Sequence, residues 1–234
     1  MITTFPALEI DINDYPAVKE FLEGFKPKLI QEGKNINEDE RKSIIEHAKK
    51  YGIDLNKPSK LKDLKKSRKK TGNKWFETQD QIAYYEEFEK EKIVWQRITQ
   101  KPTFCVSSAG EYILDSMAFL SGFSLNNGKY IVAILNSKLV EFWVDKSVHQ
   151  YGTTGYRLAN QYVEQIPIPP IPEPDQQPFI DPVDTILAKK ERGEDTSKEE
   201  FEIDMRVYEL YGLTDEEIKV VDPEFEAKRK KFKM

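Results

Sequence analysis

At 234 residues the chain has room for one domain of ordinary size with appendages, or for two small ones. Its 38% hydrophobic and 33% charged residues, with 13 Phe, 11 Tyr and 3 Trp, suit a surface-rich protein with enough aromatic bulk for a core. The sequence has no apolar run near the ~20 residues of a membrane helix and no signal-peptide pattern at its start, and a single cysteine (Cys105) with two histidines (His47, His149) excludes an internal disulfide framework and a four-ligand Cys/His zinc site built from one chain.

In chain order, residues 14–30 read as a helix, with Asp14 as N-cap, Pro16 in the first turn and Leu22, Phe25 and Leu29 as its stripe. Residues 37–51 read as a second helix, capped by Asn37 or Asp39, ended near Gly52, with Ile44, Ile45 and Ala48 inward. Residues 53–74 show little apolar periodicity and read as a basic, mobile linker. The stretch 75–88 is aromatic-rich and has room for a short helix over 79–87. Residues 92–98 and 103–107 read as strands split by Lys101-Pro102, and 111–114 and 117–124 as two more. Asn127-Gly128 marks a turn into a helix over 129–143, where Ile131, Ile134, Leu135, Leu139, Phe142 and Trp143 recur at helical spacing. Asn136-Ser137-Lys138 interrupts that helix, and a structural role is expected for Asn136 and Ser137 in fixing how it meets the sheet. Gly152 and Gly155 frame a polar loop. Prolines 167, 169, 170, 172 and 174 make a stiff exit, and helices over about 180–192, 197–211 and 214–220 finish the chain, the last with a Thr214/Glu217 capping box.

The net charge of −5 hides an asymmetry. Between Lys57 and Lys74 nine basic side chains face one acid, Asp63, a local +8 that leaves −13 for the rest. Clustered Lys and Arg displace counterions from nucleic-acid phosphates without reading sequence, so local distribution is a better guide than the whole-chain charge. The acids gather between Asp175 and Glu226.

Three blocks in order, KEKIVWQRI at 90–98, KYIVAILNSKLVEFW at 129–143 and QYVEQIPIPPIP at 161–172, resemble the TaqI-like C-terminal specificity domain of adenine-specific DNA methyltransferases and fused type IIG restriction–modification enzymes. Weaker echoes lie at 15–29 and 201–222. The resemblance implies a target-recognition module for duplex DNA, working with a methyltransferase or nuclease domain or subunit. Full-length relatives carry an Asn/Asp-Pro-Pro-aromatic motif; here Pro169-Pro170 is flanked by Ile168 and Ile171, and there is no glycine-rich cofactor loop. The chain is therefore expected to be the recognition portion, non-catalytic by itself, with no cofactor of its own and S-adenosylmethionine bound in a catalytic domain elsewhere.

The fold expected is α+β, a mixed sheet with one packed helix. The expected organisation is an N-terminal helical segment (1–56), the basic linker (57–74), a specificity domain (75–172) and an acidic C-terminal helical segment (173–234), in a cytoplasmic protein. The candidate DNA contacts are Lys65, Lys66, Arg68, Lys69, Lys70 and Lys74 for phosphates, Arg97 beside a core Trp95, and the loop residues Gln150, Tyr151, Thr153, Thr154, Tyr156 and Arg157, whose types can bond phosphates or base edges. Cys105 is expected to be a small buried side chain, and His47 to be exposed and inert. Two other classes stay open. One is a metal-dependent nuclease built from Glu86, Glu87, Glu89 and Glu91 with Lys90 and Lys92. The other is a protein-interaction module in which the basic run and acidic tail mate with each other or with partner chains.

Overall fold

The computed structural model describes residues 4–80, 82, 84–123, 127–152 and 155–233. The chain forms two compact units, Met1–Tyr84 and Tyr85–Met234. About half of it is helix and a tenth strand, with two small antiparallel sheets, an α+β fold as the sequence suggests.

In the first unit the expected helix 14–30 is broken into α1 (Pro16–Glu23) and α2 (Lys26–Leu29). One cause is Pro27, which has no N–H to donate to the Glu23 carbonyl and stands in the first turn of α2; the other is His47, which projects from α3 (Glu38–Lys50). Its Nε2 donates to the Phe21 carbonyl oxygen at 2.9 Å, so the Phe25 amide turns to Leu22 instead. A Cβ at Gly24 would lie 2.1 Å from the His47 ring, so only glycine lets the ring sit there. His47 is thus half-buried among Phe21, Phe25 and Tyr51, contrary to the exposed position expected of it. Of the two caps offered for α3, Asn37 is the one used, and Glu40 completes a reciprocal capping box with it. Ile36, Ile44 and Leu64 make a small core against which Phe25, Ile45 and Leu55 pack.

The basic run is not a structureless linker. Its first part is α4 (Pro58–Asp63). Residues 65–71 then lie along 28–36, joined by backbone bonds from Ile36 to Lys65, Ser67 to Lys34, Gly33 to Arg68 and Thr71 to Gln31. Buried Leu64 and Ser67 anchor the segment. Sequence periodicity misses this because the pairing is carried by backbone groups, which every residue type possesses.

In the second unit β1 (Lys92–Gln96) is the centre of a sheet ordered β3-β1-β4, with β3 at Phe104–Ser107 and β4 at Met117–Ser121. The chain continues as β2 (Ile98–Thr99) into a second sheet, ordered β2-β6-β5, where β5 is Gln150–Tyr151 and β6 Gly155–Arg157. The strand expected over 111–114 does not form. Glu111 there accepts bonds from Ser107 Oγ (2.7 Å) and the Ser108 amide (2.9 Å), which curls the chain into a turn. The short helix expected over 79–87 is replaced by a 3-10 turn at Tyr85–Glu89; residues 81 and 83 lie outside the described residues. Cys105 is exposed, because β3 is an edge strand and Cys105 alternates with the buried Phe104.

The expected 129–143 helix is two helices, α5 (Gly128–Leu135) and α6 (Lys138–Ser147). Every α5 residue except Lys129 is buried. Asn136 caps α5 and extends its side-chain amide to the edge of β3, donating to the Phe104 carbonyl and accepting from the Phe104 amide, each at 2.9 Å. It stands in for the missing neighbour strand, which is the structural role expected of it. Ser137 caps α6. After α7 (Asn160–Val163) come α8 (Glu173–Glu191), α9 (Ser197–Leu210), α10 (Asp215–Val221) and α11 (Phe225–Phe232). Helix α8 begins earlier than expected, since Pro174 sits in its first turn, where the missing donor has no helical acceptor. The sequence reading lacks α11, whose Phe225 and Phe232 pack on Phe201 of α9. Asp204 of α9 is buried and accepts the Lys138 amide at 2.7 Å, which ties α9 to the start of α6.

Two outcomes follow. Asn136→Ala leaves two Phe104 backbone groups without partners and is expected to lower unfolding free energy by about 1–2 kcal/mol in urea denaturation. Asp204, pushed up to about 7 chiefly by burial, holds a proton in the folded chain at pH values where the unfolded chain has lost it. Wild type therefore loses stability as pH rises from about 4 to 7, with no further change from this group above that. Asp204→Asn, which keeps an acceptor for the Lys138 amide, should gain in melting temperature relative to wild type between pH 4.5 and pH 8.

Candidate nucleic-acid interface

The basic run of the first unit divides by what its side chains touch. Arg68 is half-buried and donates from Nη1 to the Glu77 carbonyl oxygen at 2.7 Å; burial lowers its pKa. It staples the segment to the loop before Tyr84 and is not a free phosphate ligand. Lys74 donates to the Ile10 carbonyl oxygen at 3.0 Å and lies 3.7 Å from the Glu77 carboxylate. Lys65, Lys66, Lys69 and Lys70 are exposed, and among the described residues none pairs with a carboxylate. The first unit has 17 Lys/Arg against 14 Asp/Glu, the second 19 against 27. The four free lysines are thus a surface of uncompensated positive charge on the positive unit.

In the second unit the loop read from the sequence is a hairpin, β5 and β6, with Gln150 opposite Tyr156 and Tyr151 opposite Gly155. Thr153 and Thr154 lie outside the described residues. Strand β2 completes the sheet, pairing Ile98 with Arg157 and Thr99 with Tyr156. The hairpin is held to the core by Trp95, which is buried and donates from Nε1 to the Leu158 carbonyl oxygen at 3.0 Å. Tyr156 is half-buried, and its hydroxyl donates to Asp145 of α6 at 2.9 Å. The Lys146 ammonium and, after it, that bond hold the Asp145 carboxyl below its ordinary range, while burial raises the Tyr156 phenol. Beside them is a cleft of about 230 Å³ lined by Gln100, Pro102, Lys138, Glu141, Phe142, Asp145, Tyr156 and Val221. Tyr156 is therefore a supporting side chain and not a reading one. Gln150, Tyr151 and Arg157 are exposed, as is Arg97, which lies 3.6 Å from Asp115.

Two of the four carboxylates weighed for nuclease chemistry, Glu87 and Glu89, are spent on structure. Glu87 binds Lys90 at 2.7 Å and Ser121 Oγ at 2.8 Å, and these bonds lower its pKa. Glu89 accepts from the Tyr112 hydroxyl at 2.9 Å. Lys92 is wholly buried and gives its ammonium protons to the carbonyls of Phe88, Lys90 and Ser108 at 3.0, 3.1 and 2.7 Å. Among the described residues no group of three or more His, Cys, Asp or Glu side chains is placed to hold a metal ion. The Pro169-Pro170 segment packs as well: Tyr130 donates to the Pro169 carbonyl oxygen at 2.7 Å, and Ile168 and Ile171 lie against the core.

Sequence reading missed Ile98, which the register places beside Arg157. Its only linear signal is a β-branched residue in an apparently continuous strand. The basic residues of α11 and its C-cap, Lys228, Arg229, Lys230, Lys231 and Lys233, are legible in the letters but were not singled out. Of these, Lys228 is taken by Asp222 at 2.8 Å.

The family of TaqI-like C-terminal specificity domains matches residues 28–168, more than half of the chain. That span contains both the free lysines and the hairpin. No curated protein matches. No helix among the described residues is long and apolar enough to cross a membrane.

Arg68→Ala is expected to lower the melting temperature, with a loss of roughly 1–2 kcal/mol from its bond to a backbone carbonyl, and to change DNA affinity less than removal of any two of the free lysines. Differential scanning calorimetry beside a duplex-binding titration checks the division.

Proposed function

We infer the function from one premise, that the chain belongs to the family of TaqI-like C-terminal specificity domains, which give restriction–modification enzymes their DNA target specificity. The finer proposal is sequence-specific duplex recognition on behalf of an N6-adenine DNA methyltransferase or a fused type II restriction–modification enzyme. Lys65, Lys66, Lys69 and Lys70 hold backbone phosphates, a contribution that fixes position but carries no sequence information. The hairpin 150–157 offers reading groups to a groove. Arg97 and Lys74, each already near a carboxylate, contribute less.

The observation that carries this reading is the family match across residues 28–168. The four unpaired lysines support it, since a surface of this kind has no internal use for its charge. Methyl transfer from S-adenosylmethionine, with the target base turned out of the stack, belongs in this proposal to a companion domain or subunit. The acidic α8–α10 surface repels phosphate, so it is the surface proposed to face that companion. The compartment proposed is the cytoplasm, where such an assembly meets DNA.

The test is duplex binding across a salt series. Wild type should lose affinity steeply as salt rises. Lys65, Lys66, Lys69 and Lys70 all changed to Glu should flatten the log–log slope by about 3–4, because each phosphate that a lysine neutralises releases close to one counterion. An unchanged slope rejects the phosphate assignment. Incubation of the purified chain with Mg²⁺ and plasmid should yield no nicked or linear product, and cleavage would overturn the non-catalytic reading.

A further inference from the structure

The sheet formed by β2, β6 and β5 has two unlike faces. Residues directly opposed on antiparallel strands share a face, and successive residues alternate. Tyr156, opposed to Thr99 and Gln150, belongs to the face anchored on Asp145. The other face carries Arg157 opposed to Ile98, and Gly155 opposed to Tyr151. On it Ile98 is 55% exposed and Tyr151 53%. Arg157 is exposed, and among the described residues its guanidinium meets no carboxylate and donates no hydrogen bond. This separates it from Arg68, engaged by Glu77, and Arg97, near Asp115. Gly155 is buried, and a Cβ there would stand 3.1 Å from the Tyr151 carbonyl oxygen and 3.3 Å from that of Thr99, so no side chain stands between Arg157 and Tyr151.

A free planar fork with an aliphatic side chain opposite it and an aromatic one across a glycine has the chemistry of a major-groove reader. Guanine O6 and N7 accept the two donors of an arginine, and a thymine methyl takes an apolar neighbour. A β-ribbon fits the ~12 Å groove. Phosphate binding alone would not call for Ile98 and Tyr151 to remain in water.

We propose that Arg157 is the base-reading residue of this chain, that it takes a guanine edge, and that Ile98 and Tyr151 select the adjacent base pair through apolar contact with a thymine methyl. The proposal rests on the DNA-recognition reading above and adds to it a residue and a base.

Selection of bound duplexes from a randomised library, with the whole chain as wild type and as Arg157→Gln, tests this. Wild type should enrich a motif with a fixed guanine beside a thymine-bearing pair. Arg157→Gln should lose the guanine preference by on the order of ten- to a hundredfold, or turn it to adenine, which glutamine pairs bidentately. Ile98→Ala should relax the neighbouring position and leave the guanine in place. Because Arg157 is exposed and unpaired, its variant should melt with wild type, so a changed motif is not a folding effect. If Arg157→Gln enriches the same guanine as wild type, the assignment is wrong while DNA recognition stands. If wild type binds duplex with no base preference, the hairpin reads nothing and the proposal fails while phosphate binding survives. If wild type binds no duplex, the recognition reading itself falls, and this proposal with it.

Discussion

A helix that is apolar on all sides must be covered on all sides, and α5 imposes that demand on the second unit. Tyr130, Ile131, Val132, Ala133, Ile134 and Leu135 are all buried. One side is met by β1 and β3, another by α8 and α9. The polar groups at its ends have to be satisfied within the same packing. Gln176, itself buried, reaches from α8 to accept the Asn127 amide at 2.8 Å. At the other end Asn136 closes the open edge of β3. The burial of α5 thus fixes where the sheet and the C-terminal helices lie.

The hairpin inherits its position from this arrangement. The central strand β1 is buried from Lys92 to Trp95, and Trp95 holds the segment that follows β6. Helix α6 starts where α5 ends, oriented by Ser137 and by the Asp204 carboxylate, and presents Asp145 to Tyr156. One face of a short sheet is thereby locked and the other left to solvent. The reading surface proposed for Arg157 requires side chains held by a rigid scaffold, and Tyr156, its neighbour in sequence, is the one bound to that scaffold. In the first unit Arg68 fixes a segment whose lysines remain free, so structural and electrostatic duties again fall on adjacent residues.

The family was legible from three blocks of sequence, and so were features whose partners lie within one helical turn. Thr214 with Glu217 caps its helix as read, and Asn37 is one of the two caps offered for α3. The α5 apolar pattern and the structural role of Asn136 were also visible. The errors fall where a distant residue intervenes. His47 takes the Phe21 carbonyl of a helix that Pro27 also interrupts, a contact absent from the local letters. Cys105 is exposed because β3 is an edge, a fact of topology that its apolar neighbours conceal.

What the sequence by itself determined is therefore the local inventory and the charge: caps, helical stripes, a basic run with a single carboxylate, a chain with too few histidines and cysteines for a zinc quartet. Tertiary structure alone decided which charges are available and which face each strand residue occupies. Caps and periodicity act across three or four residues, so the letters contain them. Arg68 is withdrawn by a carbonyl nine positions away, Lys138 is tied to Asp204 across 66, and Trp95 to Leu158 across 63. Strand register inverts every side chain with a one-residue slip, so the outward turn of Arg157, Ile98 and Tyr151 exists only once the chain has folded.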